Sequence, residues 1–164
     1  MEANTRDLLY FAYVEAAKSR DPSTQNGALL YRPDYGVLIA DHNRFPTHVN
    51  ADVPERWERP LKYEYIEHAE RNVIFSAAKY GISTRDLIMI CPWAPCADCA
   101  RAIIQSGIIR LIAHKQAHDR SPDRWKEQIN RALNMLCEAR VEVTHYDDKI
   151  SGVTIRHNGE LWEP

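Results

Sequence analysis

Two short motifs, His68-Ala69-Glu70 and Pro95-Cys96-Ala97-Asp98-Cys99, constrain this chain more than any other feature. They offer one imidazole, two thiols and a carboxylate two residues from the imidazole. Side chains of these types have a joint use only if the fold brings the two segments together. The set matches the three protein ligands of a catalytic zinc ion, which keeps its fourth tetrahedral position for water. Zinc lowers the pKa of such a water until it is a nucleophile near neutral pH. Two other readings stay open here: a closed structural zinc site with a fourth protein ligand, or two core cysteines beside an unrelated histidine. A closed site leaves Glu70 without a use, although an acidic residue also suits a helix N-terminus for its own sake.

The apolar pattern tells where these motifs sit. Leu8, Leu9, Phe11, Ala12, Val14, Ala16 and Ala17 recur at helical spacing behind Asn4 or Thr5 as N-cap. Segments 27–31 and 37–40 read as strands joined by a hairpin connection. A helix is predicted over 68–80, stopped by Gly81, and another over 96–106, stopped by Gly107. Strands are predicted at 87–91, 109–113 and 141–146, with a further helix over 122–137. Asn158-Gly159 predicts a small terminal hairpin. This order describes one sheet covered by helices, an α/β sandwich. It places His68, Cys96 and Cys99 in the first turns of two helices, where positive partial charge favours thiolates. Segment 43–62 lacks periodicity and reads as a long functional loop.

Length and charge narrow the partners. A chain of 164 residues fits a single domain over 1–164, with 147–164 as a tail or small hairpin. No apolar run reaches the ~20 residues of a membrane span, and Met1 to Asp7 do not open like a secretory signal. Four cysteines, two of them in Cys-x-x-Cys, suit a reducing compartment, so a cytoplasmic location is expected. Cys91 and Cys137 read as packing residues. A net charge of −2 favours a mononucleotide over a polynucleotide, because grip on long nucleic acids rests on a cationic surplus.

At this point the chain resembles the cytidine deaminase superfamily, and the deoxycytidylate (dCMP) deaminases most. His-x-Glu followed by Pro-Cys-x-x-Cys is a known signature of zinc nucleobase deaminases. Ser19-Arg20-Asp21-Pro22 with Gln25 and Gly27-Ala28, His68 to Asn72, and Pro95 to Ala100 with Ile103 to Ile108 carry the resemblance. It implies a three-layer α/β/α sandwich around a mixed five-stranded sheet, and a homo-oligomer, a hexamer among the options. It also implies one zinc per chain on His68, Cys96 and Cys99, with Glu70 as proton shuttle. The implied reaction is hydrolysis of a cytosine nucleotide to the uracil nucleotide and ammonia, dCMP to dUMP in the first instance.

The resemblance further implies substrate contacts. These are the Ala69 N–H to the base carbonyl, the Ala94 carbonyl to the amine, Trp93 as a wall and Asn43 on the sugar. Trp93 equally fits a core and Asn43 a turn. Arg44, His48, Arg56, Arg59 and Lys62, with Arg20 and Arg71 behind them, are cations available to a 5′-phosphate. Three departures matter. The family's Gly-Tyr-Asn-Gly turn reads Asp41-His42-Asn43-Arg44, so regulation by dCTP and dTTP is not carried over. His118 stands near the family's base-contacting Tyr, and a smaller polar ring there would admit a substituent at carbon 5. Pro92-Trp93-Ala94-Pro95-Cys96 resembles polynucleotide deaminases of the APOBEC type. The rival readings are therefore a deaminase of dCTP, 5-substituted dCMP or single-stranded polynucleotide, and a non-catalytic zinc-binding module.

Overall fold

The computed structural model describes residues 4–164. Met1 to Ala3, which open the expected domain and the segment judged not to be a signal, lie outside the described residues. Helix α1 (Thr5–Ala16) starts at Asn4, whose side chain accepts from the Arg6 N–H. Strands β1 (Gly27–Arg32) and β2 (Gly36–His42) form an antiparallel hairpin. Next come a 3-10 turn (Pro54–Trp57), the short α2 (Lys62–Tyr65) and α3 (Ala69–Tyr80), which ends at Gly81 with φ +69°. Strand β3 (Ile88–Ile90), α4 (Ala97–Gln105), β4 (Arg110–His114), α5 (Lys115–Asp119), α6 (Asp123–Glu138) and β5 (Glu142–Tyr146) follow. The chain closes with β6 (Ile155–His157) and β7 (Glu160–Trp162).

The five-stranded sheet has the order β2-β1-β3-β4-β5. It is antiparallel across β2, β1 and β3, and parallel across β3, β4 and β5. Parallel neighbours need a crossover, and α4 and α6 supply the two. Strand β1 is buried on both faces because its side chains alternate between two cores. Ala28 and Leu30 join Val73, Met89, Ile103 and Leu136 under α3, α4 and α6. Leu29 and Tyr31 join Leu9, Tyr13, Ile112 and Ile155 under α1 and the terminal hairpin. This is the three-layer α/β/α sandwich with a mixed sheet.

Segment 43–62 departs from a featureless loop. Phe45 stacks on Trp57 with ring centroids 4.1 Å apart, and Trp57 Nε1 donates to the Ala51 carbonyl. Aromatic contacts of this kind pack a segment that carries no period of its own. Cys137 is exposed on α6, a correction to its reading as a packing residue; Cys91 is buried. No helix among the described residues is long and apolar enough to cross a membrane.

Candidate metal centre and substrate cleft

Each metal-ligating side chain stands at a helix start. His68 is the N-cap of α3, Cys96 the N-cap of α4, and Cys99 lies in the first turn of α4. The His68 Nδ1 lies 3.6 Å from Cys96 Sγ and 3.4 Å from Cys99 Sγ, and the sulfurs are 3.5 Å apart. A tetrahedral zinc with ordinary bond lengths sets S···N at about 3.6 Å and S···S at about 3.8 Å. The three atoms therefore fit one face of a zinc tetrahedron, and among the described residues they are the one cluster of this kind. With three protein donors, the fourth direction is left for a small ligand.

The charges around the sulfurs suit that ion. Hydrogen bonding from the Cys99 thiol, then from His68, pulls the Cys96 thiol down to about 3. Burial pushes Cys99 up, as expected when two adjacent sulfurs share one negative charge. Arg71 Nη1 lies 3.5 Å from Cys99 Sγ and 4.0 Å from Cys96 Sγ, and the same guanidinium pairs with Glu67. Arg71 is thus held on the thiolates and not on a phosphate. His68 would be depressed by burial, but its hydrogen bond to Cys96 and the charge of Glu70 raise it.

Glu70 sits in the first turn of α3 with 2% of its surface exposed. Burial is the main force that raises its carboxyl above the usual range. Asn26 reaches toward it, with Nδ2 3.5 Å from Glu70 Oε2 and 3.2 Å from Cys91 Sγ. A carboxyl raised by burial passes between its two protonation states nearer neutral pH than an exposed one.

A cleft opens from this centre. His68, Ala69, Glu70 and Cys96 form its floor, with Trp93, Ala94 and Asn43 beside them. Ala69 is the first residue of α3, so its N–H has no carbonyl partner within the helix. The Asn43 side chain accepts from the Asn26 N–H and donates to Asp21 and the Thr24 carbonyl. Asp21 also takes the buried Lys62 ammonium at 2.6 Å. Lys62 therefore lines the cleft as a neutralised cation. Arg59 and Arg124 line the outer part of the cleft, and neither has a carboxylate partner among the described residues.

Two expected contacts are placed elsewhere. Arg44 turns away from the cleft because its guanidinium is clamped on Asp41, with Nε and Nη2 each 2.9 Å from a carboxylate oxygen. Its backbone pairs with Glu67 and so anchors the approach to His68. His118 lies in α5, where its ring meets His145 edge-on at 5.2 Å and does not reach the cleft. The short α5 carries the chain off the end of β4 before it could turn inward. His48 and Arg56 also lie outside, and Arg20 pairs with Asp52 on the surface.

Sequence reasoning did not find Asn26, Tyr63, Arg124, Trp125, His157 or Asn158 as cleft residues. The Asp21 network had a local sign in Ser19-Arg20-Asp21-Pro22, but the residues from α6 and the hairpin carried none.

A mixed-sheet α/β/α sandwich that gathers one histidine and two cysteines at facing helix starts defines a zinc-site protein with a buried acid at the metal. The chain belongs to the cytidine and deoxycytidylate deaminase zinc-binding family, whose model matches residues 3–115. It is 37% identical over 129 residues to an uncharacterized deaminase in the luxG 3′ region of Aliivibrio fischeri, covering 77% of this chain and 82% of that one. It is 38% identical over 118 residues to the deoxycytidylate deaminase of Enterobacteria phage T4, covering 68% of this chain. The chain spans 61% of the length of that phage protein. Among solved structures, the apo dCMP deaminase of cyanophage S-TIM5 superposes with a TM-score of 0.67. That match has 20% identity and covers 87% of this chain and 96% of the phage chain.

Proposed function

We propose that this chain hydrolyses a cytosine mononucleotide, converting dCMP and water to dUMP and ammonia. The observation that carries the reading is the joining of two features in one cleft. Its floor holds a three-donor zinc set beside the buried Glu70, and its outer part holds two cations without carboxylate partners, Arg59 and Arg124. Zinc, when bound by His68, Cys96 and Cys99, supplies a water made acidic enough to act as nucleophile at carbon 4. Glu70 takes a proton from that water and hands it to ring N3. It then takes the second proton, from the hydroxyl now on carbon 4, and hands it to the amine, so that the C–N bond breaks and ammonia leaves as the carbonyl forms. Ala69 offers its free N–H to the base carbonyl oxygen, and Ala94 its carbonyl to the exocyclic amine. Trp93 walls the ring, and Asn43 faces the sugar. Arg59 and Arg124 neutralise the 5′-phosphate. In this reading residues 1–164 act as one domain in the cytoplasm. The exposed Val37, Phe75 and Tyr80 along edge strand β2 and helix α3 are the apolar surface that would join copies into a homo-oligomer.

The names of the relatives support deamination, and the cleft's cations support a monophosphate. Ammonia release from cytosine, deoxycytidine, dCMP, dCTP, 5-methyl-dCMP and single-stranded DNA decides the substrate. The expected result is highest kcat/KM on dCMP; inactivity on dCMP alone overturns the choice of nucleotide while leaving the chemistry. Sedimentation of the zinc-loaded protein tests the oligomer.

A further inference from the structure

We propose that the β6–β7 hairpin is a working wall of the substrate cleft, with His157 as a specificity-determining residue whose imidazole hydrogen-bonds the bound nucleotide. The hairpin lies beyond residues 3–115, the segment that defines the family, so nothing in the zinc motifs assigns it a role. It is bound tightly to the cleft's own loop. The Arg156 N–H donates to Gln25 Oε1 at 2.7 Å, and the Gln25 N–H to the Arg156 carbonyl at 3.0 Å. The Gly159 N–H donates to the Ser23 carbonyl at 2.8 Å. Ile155, fully buried in the core under α1, fixes the hairpin from below.

This anchoring puts His157 flat against Trp93, with ring centroids 4.5 Å apart and planes 19° off parallel. Trp93 in turn donates its Nε1 hydrogen to the Gln25 carbonyl at 3.3 Å. His157 is only 8% exposed, yet among the described residues neither ring nitrogen has a hydrogen-bond partner. Neither nitrogen is fully shut off from solvent, so both stay open to water or to a bound ligand that replaces it. Here the ring lines the cleft, beside Asn158, whose side-chain oxygen lies 3.4 Å from Arg124 Nη2. Burial, then the charges of Arg120 and Arg124, hold this imidazole below its usual pKa. Neutral, it offers one N–H and one lone pair, which suits hydroxyl and carbonyl groups better than phosphate.

The inference rests on the mononucleotide reading above, and the test separates the two. His157→Phe keeps a flat ring on Trp93 and removes both nitrogens. On dCMP its KM is expected to rise about three- to tenfold, the worth of one neutral hydrogen bond, with kcat within about twofold. His157→Gln, which restores a donor and an acceptor, should recover part of that loss. If His157→Phe does not fold, the wild-type protein with labelled histidine gives the second measurement: the His157 ring resonance should shift when dUMP is added. An unchanged KM in a folded His157→Phe, or an unmoved His157 resonance at saturating dUMP, overturns the proposal. Failure of the wild type to turn over dCMP or bind dUMP overturns the mononucleotide reading, and this inference with it.

Discussion

Glu70 is the residue whose replacement most directly separates chemistry from folding. Glu70→Gln keeps the side chain's length and its hydrogen bonding but cannot carry a proton. Turnover should fall about 10²- to 10⁴-fold, the usual contribution of a positioned acid and base, while bound zinc stays at one per chain by elemental analysis. Turnover close to wild type would remove Glu70 from the reaction. Glu70 and the three ligands were legible because their spacings are local: His68 and Glu70 two residues apart at one helix start, Cys96 and Cys99 three residues apart at another. Arg71, one residue further on, was legible only as a cation. Its place on the sulfurs depends on how closely α3 and α4 approach, which no spacing within either motif records.

At the scale of elements, the seat of α1 on β1 depends on Gly27. A Cβ there would meet the Ala12 carbonyl oxygen at 2.2 Å and the Ala16 nitrogen at 2.6 Å. Both are backbone atoms and cannot rotate aside. Gly27→Ala should destabilise by about 3 kcal/mol, read from urea unfolding; a loss under about 1 kcal/mol would mean that the helix shifts freely.

The end of β2 gives a pH dependence with a definite sign. Burial would raise the Asp41 carboxyl, but hydrogen bonds from the Arg44 guanidinium, the His42 N–H and the Ser76 hydroxyl outweigh it and hold the group below its ordinary 3.8. The folded chain therefore binds this proton more weakly than the unfolded chain. Its stabilisation is present above pH 3.8 and disappears as pH falls through the lower folded value. Asp41→Asn should be less stable than wild type at neutral pH and should lose less between neutral pH and the acid limit. Parallel stability curves for the two proteins would count against the clamp. The long helices and the five strands of the main sheet were readable from the apolar pattern. Helices α2 and α5 were not, since four or five residues cannot display a helical period.

For the whole molecule, the metal couples the site to stability. His68 and the two cysteines join α3 to α4, so an ion bound to the folded chain and not to the unfolded one adds to its stability. Zinc present at 100 times its dissociation constant contributes about 2.7 kcal/mol. Chelation should then lower Tm by about 5–10 °C for a chain of this size, reversibly on adding zinc. A Tm indifferent to chelator, in protein shown to have carried zinc, would mean the ligands do not hold the two helices together.

The amino-acid order alone determined the metal donors, the acid beside them and the layers of the sandwich. Each of these rests on a short-range rule, a helix cap, a turn or an apolar period, that acts between neighbours in the chain. Tertiary structure alone decided which polar groups line the cleft. Arg44 is spent on Asp41 and Lys62 on Asp21, while Arg59, Arg124 and His157 arrive from three distant segments with no period in common. Such groups meet only because closing the two cores carries α6 and the terminal hairpin to the same end of the sheet, and a charge's availability is settled by the neighbours that this closure brings.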